Sequence, residues 1–276
     1  MPALPATPGT GHLSLELVNG QTSIVRCRSH APLKLLTPRH STAAAWIYAN
    51  TFGGGLVAGD RIDLTVQLGA GTTAVLTTQA STKVFHEQDG RGAEQHFDIT
   101  LAEDSCLLAL PDPLTCFAHA RFDQTQRFSL DSNSSLVLLD WLTAGRSARG
   151  ENWQFTSYRN RVEITVDGRE IVFDACRLEQ PYLSRLQRVG VGGYQVLANV
   201  YLVGPRTQPM ADDWQSWSAG LPIHAVDGLA VGFSRTPWGG VLRLAGRDTR
   251  SVTQKLMELL RPVQPWIGGC PWGRKW

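Results

Sequence analysis

Four times between Arg61 and Glu179 the chain repeats one short unit: a segment of alternating apolar residues, a polar or glycine turn, and a second β-rich segment. RIDLTVQL-GAG-TTAVLTTQ (Arg61 to Gln79) is echoed by QHFDITL-AED-SCLLALPD (Gln95 to Asp112), by TQRFSL-DSN-SSLVLLDW (Thr125 to Trp141) and more loosely by RVEITV-DGR-EIVFDACRLE (Arg161 to Glu179). In the first unit Ile62, Leu64, Val66 and Leu68 fall on alternate positions, the period of a strand with one buried face. The strand-ending residues Leu68, Leu101, Leu130 and Val166 are 33, 29 and 36 residues apart. Such near-periodic pairs predict stacked β layers, each unit covering the apolar face of the last. The period is too uneven for a strict solenoid, so the expected fold is mainly β: a layered, twisted β-strand stack with irregular strand-turn-strand repeats and about two α-helices.

The flanks fit this plan. Residues 1–12, rich in Pro and Gly, are expected to be flexible, with structure starting near Leu13. His12 to Arg28 reads as a hairpin around Asn19-Gly20. Ala43 to Thr51 has the alanines of a helix and the Trp46-Ile47-Tyr48 of a strand, and propensity does not decide between them. Pro181 to Arg188 has helix-like leucine spacing, Tyr194 to Val203 is strand-like, and Met210 to Ala219 predicts a short helix with Trp214 and Trp217 on one face. Gly228 to Phe233 and Gly240 to Ala245 form a last hairpin. Asp248 or Thr249 then caps a helix over Val252, Leu256, Leu259 and Leu260, which Pro262 stops. The expected organisation is a flexible segment 1–12, a single β domain 13–263 and an extended tail 264–276.

Composition narrows the class. With 276 residues, 42% of them hydrophobic, the chain can bury a sizeable core. A net charge of +2 with no basic block argues against a nucleic-acid partner. There is no run of 18 apolar residues and no charged segment leading into an apolar one, so the expectation is a soluble cytoplasmic protein without a membrane partner. Cys27, Cys106, Cys116, Cys176 and Cys270 are scattered and show no zinc-ligand spacing, which predicts free buried thiols, Cys270 in the tail being the least certain to be covered. Ser81, His86 and Asp89 lie close in sequence but lack a nucleophile elbow, and the seven histidines form neither H-x-H nor H-E-x-x-H. His86-Glu87 and His96 flank a loop where metal ligands could still converge.

The glycine-rich loop before the first unit frees the backbone at Gly53, Gly54 and Gly55 and turns at Gly59-Asp60. It is not a phosphate loop, because Gly59 is followed by Asp60-Arg61 rather than Lys-Ser/Thr. Together with Leu76 to Phe85 (LTTQASTKVF), this loop resembles the urease accessory protein family UreD, also called UreH. The resemblance continues through Leu110 to Ala118 (LPDPLTCFA), Asp140 to Arg146 (DWLTAGR), Gly150-Glu151, Trp153 to Phe155, and Val241 to Gly246 before the helix ending Leu260-Arg261-Pro262. It covers roughly residues 30–262 in family order, in the sense of ordered motifs along one chain. The PDP and GRSARGE forms are similar to eukaryotic members.

What the resemblance implies is a non-enzymatic maturation factor. It would be a scaffold that docks on apo-urease and on a helical UreF-type partner, through which it meets a UreG-type GTPase, and that passes nickel(II) inward along an internal path, with no tightly bound cofactor. It also favours a strand for Ala43 to Thr51. A transfer path needs weak oxygen ligands, which points to Asp60, Asp140 and Glu179 as transient nickel contacts. Thr78 and Gln79 are then path-lining residues, Lys83 a counter-charge, and Gly53, Gly54 and Gly59 structural turn residues. Each of these also has an ordinary reading as a hydrogen-bonded turn or strand-end residue. Two other functions stay open on the residues alone: a β-rich interaction module without an ion path, and an unrecognised hydrolase.

Overall fold

The computed structural model describes residues 7–38, 42, 44–183, 193–222, 226 and 228–273. Its strands, in chain order, are β1 Thr10–Val18, β2 Gln21–Ser29, β3 Leu33–Leu36, β4 Ala45–Thr51, β5 Arg61–Leu68, β6 Thr73–Thr77, β7 Thr82–Val84, β8 Ala93–Leu101 and β9 Cys106–Ala109. They continue with β10 Leu114–Cys116, β11 Arg121–Leu130, β12 Ser135–Thr143, β13 Ser157–Val166, β14 Arg169–Glu179, β15 Val196–Val203, β16 Leu229–Thr236 and β17 Gly239–Gly246. Three helices are described: α1 Gln208–Ala219, α2 Thr249–Leu259 and α3 Gln264–Ile267.

In the first three repeats the first strand goes to one sheet and the second to the other, whereas both strands of the fourth, β13 and β14, pair antiparallel in the first sheet. The first sheet runs β14-β13-β11-β8-β5-β1-β2, and the second β16-β17-β15-β12-β9-β6-β4-β3, with β10 and β7 continuing beside β12. The central strands β5, β8, β11 and β13 are parallel and in register, as are β4, β6, β9 and β12. The chain therefore coils from sheet to sheet, flanked by antiparallel strands.

The unevenness of the repeat lies on one side of this coil. On the other side the turns Gly69 to Thr72, Ala102 to Ser105 and Asp131 to Ser134 have the same length and the same bonding. Each ends in a fully buried hydroxyl residue that donates Oγ to the carbonyl of the turn's first residue: Thr72 at 2.7 Å, Ser105 at 2.6 Å and Ser134 at 2.8 Å. Each also bonds its own amide to that carbonyl, so the buried residue that ends the turn has both its hydroxyl and its amide paired. The longer connections, which hold β7 and β10, all fall at the opposite end.

Two apolar cores result. The first lies between the sheets and includes Leu64, Val66, Ile99, Phe128, Leu138 and Ile164. The second lies between the outer face of the second sheet and the helices, where Trp46, Val75, Leu139, Val200 and Leu242 meet Met210, Trp214, Val252, Leu256 and Ile267. Burying each such Leu or Val contributes roughly 1.5–3 kcal/mol, which explains why the alternation on β12 disappears: Ser135 to Thr143 is buried on both faces. Trp214 packs edge-on against Phe233, and the Nζ of Lys255 sits 5.7 Å from the Trp217 ring, so this pair serves packing.

Some expectations hold, among them the strand favoured for Ala43 to Thr51, and others are revised. Strand β1 starts at Thr10, because Gly9 pairs with Ala31 and His30 with Thr10. The Ala45–Thr51 segment is a strand, its Trp46, Ile47 and Tyr48 buried. The Pro181 to Arg188 segment falls mostly outside the described residues. The tail is not extended: Pro265 sits in the first turn of α3, Gly268 closes it in the left-handed region at φ 70°, and Ile267 is fully buried. Cys106 and Cys116 are buried free thiols as expected, Cys176 and Cys270 are partly covered, and Cys27 is exposed on an edge strand.

Candidate functional site

The in-register pairing converts a sequence pattern into polar rows inside the sandwich. On the first sheet, one inward-facing row reads Ile62, Gln95, Gln124, Asn160, Cys176, and the next reads Leu64, Phe97, Gln126, Val162, Asp174. The rows nearer the short turns, such as Val66, Ile99, Phe128 and Ile164, are wholly apolar. On the second sheet Asp140, Asn199 and Arg243 are cross-strand neighbours in the row that faces these amides. The interior is therefore dry at the short-turn end and polar at the other.

Asp140 is the centre of this polar zone. It is 8% exposed and accepts hydrogen bonds from Gln126 Nε2 at 3.2 Å and Asn160 Nδ2 at 2.7 Å, both reaching from the opposite sheet. Burial, together with the nearby charge of Asp174, pushes its carboxyl up to about 6 against the opposing effect of the two amide bonds. Asn160 Oδ1 is buried and has no hydrogen-bond partner among the described residues. An acceptor left unmatched beside a carboxylate suits a water molecule or a hydrated cation better than a dry core.

Two cavities meet at Asp140 and Trp141. One, of about 70 Å³, lies between the sheets and is lined by Asn50, Thr78, Gln95, Asp112, Gln124 and Gln126 among apolar side chains. The other, of about 390 Å³, continues past Tyr158, Asp174, Cys176 and Asn199 to Arg243. At this second end Asp174 accepts from Tyr201 Oη at 2.8 Å and from Arg243 Nη2 at 2.6 Å. Burial pushes the Cys176 thiol up to about 11, helped by Asp140 and Asp174, so it faces the cavity protonated.

The expected site residues fall into two groups. Asp140 and Thr78 line the cavity, and Thr78 Oγ1 holds Asp112 both by donating to its Oδ2 at 3.0 Å and by accepting from its amide at 2.8 Å. Gln79 stands beside the cavity wall, exchanging two bonds with Asn50, at 2.8 and 2.9 Å, and so orienting a lining residue without being one. Asp60, Glu179 and Lys83 lie elsewhere. Asp60 accepts from the Val57 amide at 2.8 Å and closes the glycine turn. Glu179 faces the outer surface between Arg159 and Arg177, at 2.9 and 2.6 Å, and these two guanidiniums hold its carboxyl down to about 2. Lys83 is exposed on β7. A strand-end acid is as well used by a surface arginine as by a cavity, and one residue of register decides which.

The turn and ligand expectations are refined in the same way. Gly53, Gly54 and Gly59 all take positive φ, as a turn requires, yet a Cβ at any of them would meet nothing within 4 Å. The close approach is at Gly55, where a Cβ would lie 2.6 Å from the Lys83 carbonyl. Glu87 pairs with Arg121 at 2.7 Å, and His96 lies against Glu94 on the outer face of the first sheet, so the loop after Phe85 does not gather ligands. Among the described residues no three His, Cys, Asp or Glu side chains are placed to hold a metal ion together. His86 and Asp89 are exposed. Arg146, paired with Glu151 and lying 4.3 Å from the Phe117 ring centroid, anchors the Gly-Arg segment instead.

A family model described as UreD urease accessory protein matches residues 8–276. The chain belongs to the UreD family. Among its relatives, "Urease accessory protein D" of Oryza sativa subsp. indica is 36% identical over 299 residues, covering 97% of this chain and 96% of the relative. "Urease accessory protein UreD" of Anaeromyxobacter sp. (strain Fw109-5) is 38% identical, covering 96% and 89%, and the Arabidopsis thaliana "Urease accessory protein D" is 32% identical, covering 95% and 99%. The UreD family is one of accessory proteins, so the chain is an accessory factor rather than an enzyme. No helix among the described residues is long and apolar enough to cross a membrane.

UreD relatives thus match this chain almost end to end, the closing tail included. Asp174, Asn199 and Arg243 were not foreseen as site residues. The signal was present: like Asp140 in LVLLDWL, Asp174 in IVFDAC and Arg243 in GVLRLA each interrupt a short apolar run.

Proposed function

We propose that this chain is a cytoplasmic urease maturation factor. It acts as a scaffold that docks on apo-urease and on a UreF-type partner, meets a UreG-type GTPase through that partner, and lets nickel(II) pass toward the urease active site without holding it as a cofactor. The observation that carries the ion route is the buried Asp140 carboxylate, set where two cavities meet and beside the unmatched Asn160 Oδ1.

A nickel ion in transit needs oxygen donors that stabilise a hydrated dication without trapping it. Facing rows of amides with one central carboxylate supply that, and one negative charge offsets part of the cost of bringing a dication between two sheets. At neutral pH Asp140 is mostly ionised and gives that charge. A water-sized cavity suits a partly hydrated ion passing from one carbonyl or carboxylate oxygen to the next.

The test is urease activation in cells lacking their own UreD-type protein, with the remaining accessory proteins ones this chain binds. The expected result is activation by the wild type, loss with Asp140→Asn, and retention of UreF-type and urease partners by both in pull-downs. Activation by Asp140→Asn at the wild-type level removes the carboxylate from the route. Failure of the wild type to activate or to capture urease overturns the maturation role itself.

A further inference from the structure

The polar row that includes Asp140 ends at a fixed positive charge. Asp140 on β12 neighbours Asn199 on β15, which neighbours Arg243 on β17. Beyond β14 the first sheet stops, whereas the second continues through β17 to β16. Arg243 therefore rises from the overhanging part of one sheet and reaches the last strand of the other. Its Nη2 donates to Asp174 Oδ2 at 2.6 Å and its Nη1 to Asn199 Oδ1 at 3.2 Å. The side chain of Arg243 is 58% exposed and that of Asp174 18%, so the guanidinium lies between solvent and the carboxylate.

The oxygens held by Arg243 are the kind a divalent cation would use at this end of the cavity. Arginine does not lose its proton in a protein, so it can leave these oxygens only by moving. We propose that Arg243 is a gate, a built-in cation that occupies Asp174 and Asn199 and closes the outer end of the cavity to divalent metal until its side chain swings away. This rests on the nickel-route reading above and adds to it where, and against what, an ion must compete. Tyr201 Oη, which also donates to Asp174 Oδ2, keeps that carboxylate aimed inward when the arginine leaves. The half-exposed guanidinium is free to rotate into solvent, while Asp174 and Tyr201 stay packed between the sheets.

The measurement is nickel(II) binding to the isolated full chain by calorimetry, for the wild type, Arg243→Gln, Arg243→Lys and the double variant Arg243→Gln/Asp174→Asn. Circular dichroism checks that each is folded. Removing a fixed charge next to two oxygen donors is expected to tighten nickel binding about tenfold in Arg243→Gln. The double variant should return to the wild-type value, and Arg243→Lys, which keeps a charge but lacks the two-pronged fork, should fall between. Binding by folded Arg243→Gln that is no tighter than wild type overturns the gate, as does tightening that survives the loss of Asp174. Should Arg243→Gln not fold, the Lys variant decides: no tightening there overturns the proposal. The two ideas separate cleanly, because loss of urease activation in Asp140→Asn with unchanged nickel binding in Arg243→Gln keeps the route and removes the gate.

Discussion

Asp140 and Asn160, on strands of opposite sheets, are joined by a 2.7 Å hydrogen bond across the interior of the sandwich. The bond links the two sheets through a buried charge, and a buried charge costs stability that an uncharged isostere does not. Because the folded-state carboxyl is raised from 3.8 to about 6, the native state holds this proton more tightly than the unfolded chain does. The contribution of Asp140 to stability therefore falls as pH rises between about 4 and 6, then stays constant, a loss of about 3 kcal/mol in all. Asp140→Asn keeps the shape: its oxygen can still accept from Gln126, while Asn160 turns over to accept from the new amide NH2. The variant is expected to be more stable than wild type at pH 7, by an amount up to that figure, and equal to it at pH 4. Urea denaturation at the two pH values checks this; equal stability of the two proteins at pH 7 would show that the carboxylate is not strained by burial.

The glycine loop contains two kinds of glycine, and substitution separates them. Gly53→Ala meets no steric obstacle and faces only the left-handed φ of 73°, so it should cost about 1 kcal/mol. At Gly55 the added methyl would run into the Lys83 carbonyl and the Phe85 ring, both at 2.6 Å, and the amide of Leu56 bonds that same carbonyl at 2.8 Å. Gly55→Ala should cost about 2 kcal/mol or more through displaced backbone. Thermal denaturation of the two variants side by side is the check, and the expected order is Gly55→Ala well below Gly53→Ala.

How much of this was legible in the sequence depended on whether a feature was local. The alternation of Ile62, Leu64, Val66 and Leu68 marks a strand by itself, and the echo of that unit was enough to predict layers. What the spacing concealed was that the repeat is regular on one side only: the hydroxyls of Thr72, Ser105 and Ser134 stand at one position of three equal turns, and only the pairing of β5, β8 and β11 shows them in line. The polar rows were hidden for the same reason, since Gln95, Gln124 and Asn160 become neighbours only through long-range register. Asp140 could be singled out as a charge in an apolar strand, whereas Asp60 and Glu179 sit at strand ends where sequence does not say which way a side chain points.

The repeated hydroxyl turn gives a prediction of its own. Ser134 is fully buried, and its Oγ bonds the Asp131 carbonyl at 2.8 Å, while the next residue, Ser135, continues the ladder by bonding the Ser105 carbonyl. Ser134→Ala removes one buried hydrogen bond with almost no change in volume, so the expected cost is about 1 kcal/mol. Ser134→Val adds bulk at this fully buried position and should cost more. Guanidinium unfolding of the pair tests whether the turn is held by its bond, its packing or both.

The last prediction concerns the tail, expected to be extended but folded into α3 at Gln264–Ile267. Ile267 is fully buried and belongs to the core formed by the second sheet and the helices, with Trp266 and Trp272 packed at its margin. Gly268 must remain small, because a Cβ there would lie 2.7 Å from Thr42. A segment that only anchored a partner would not fill the core in this way. Ile267→Ala is therefore expected to destabilise the isolated chain by about 2–5 kcal/mol, and removal of residues 264–276 by more, both read by denaturation without any partner present. If truncation instead leaves stability unchanged and abolishes only partner capture, the tail is an anchor and its burial contributes nothing to the fold.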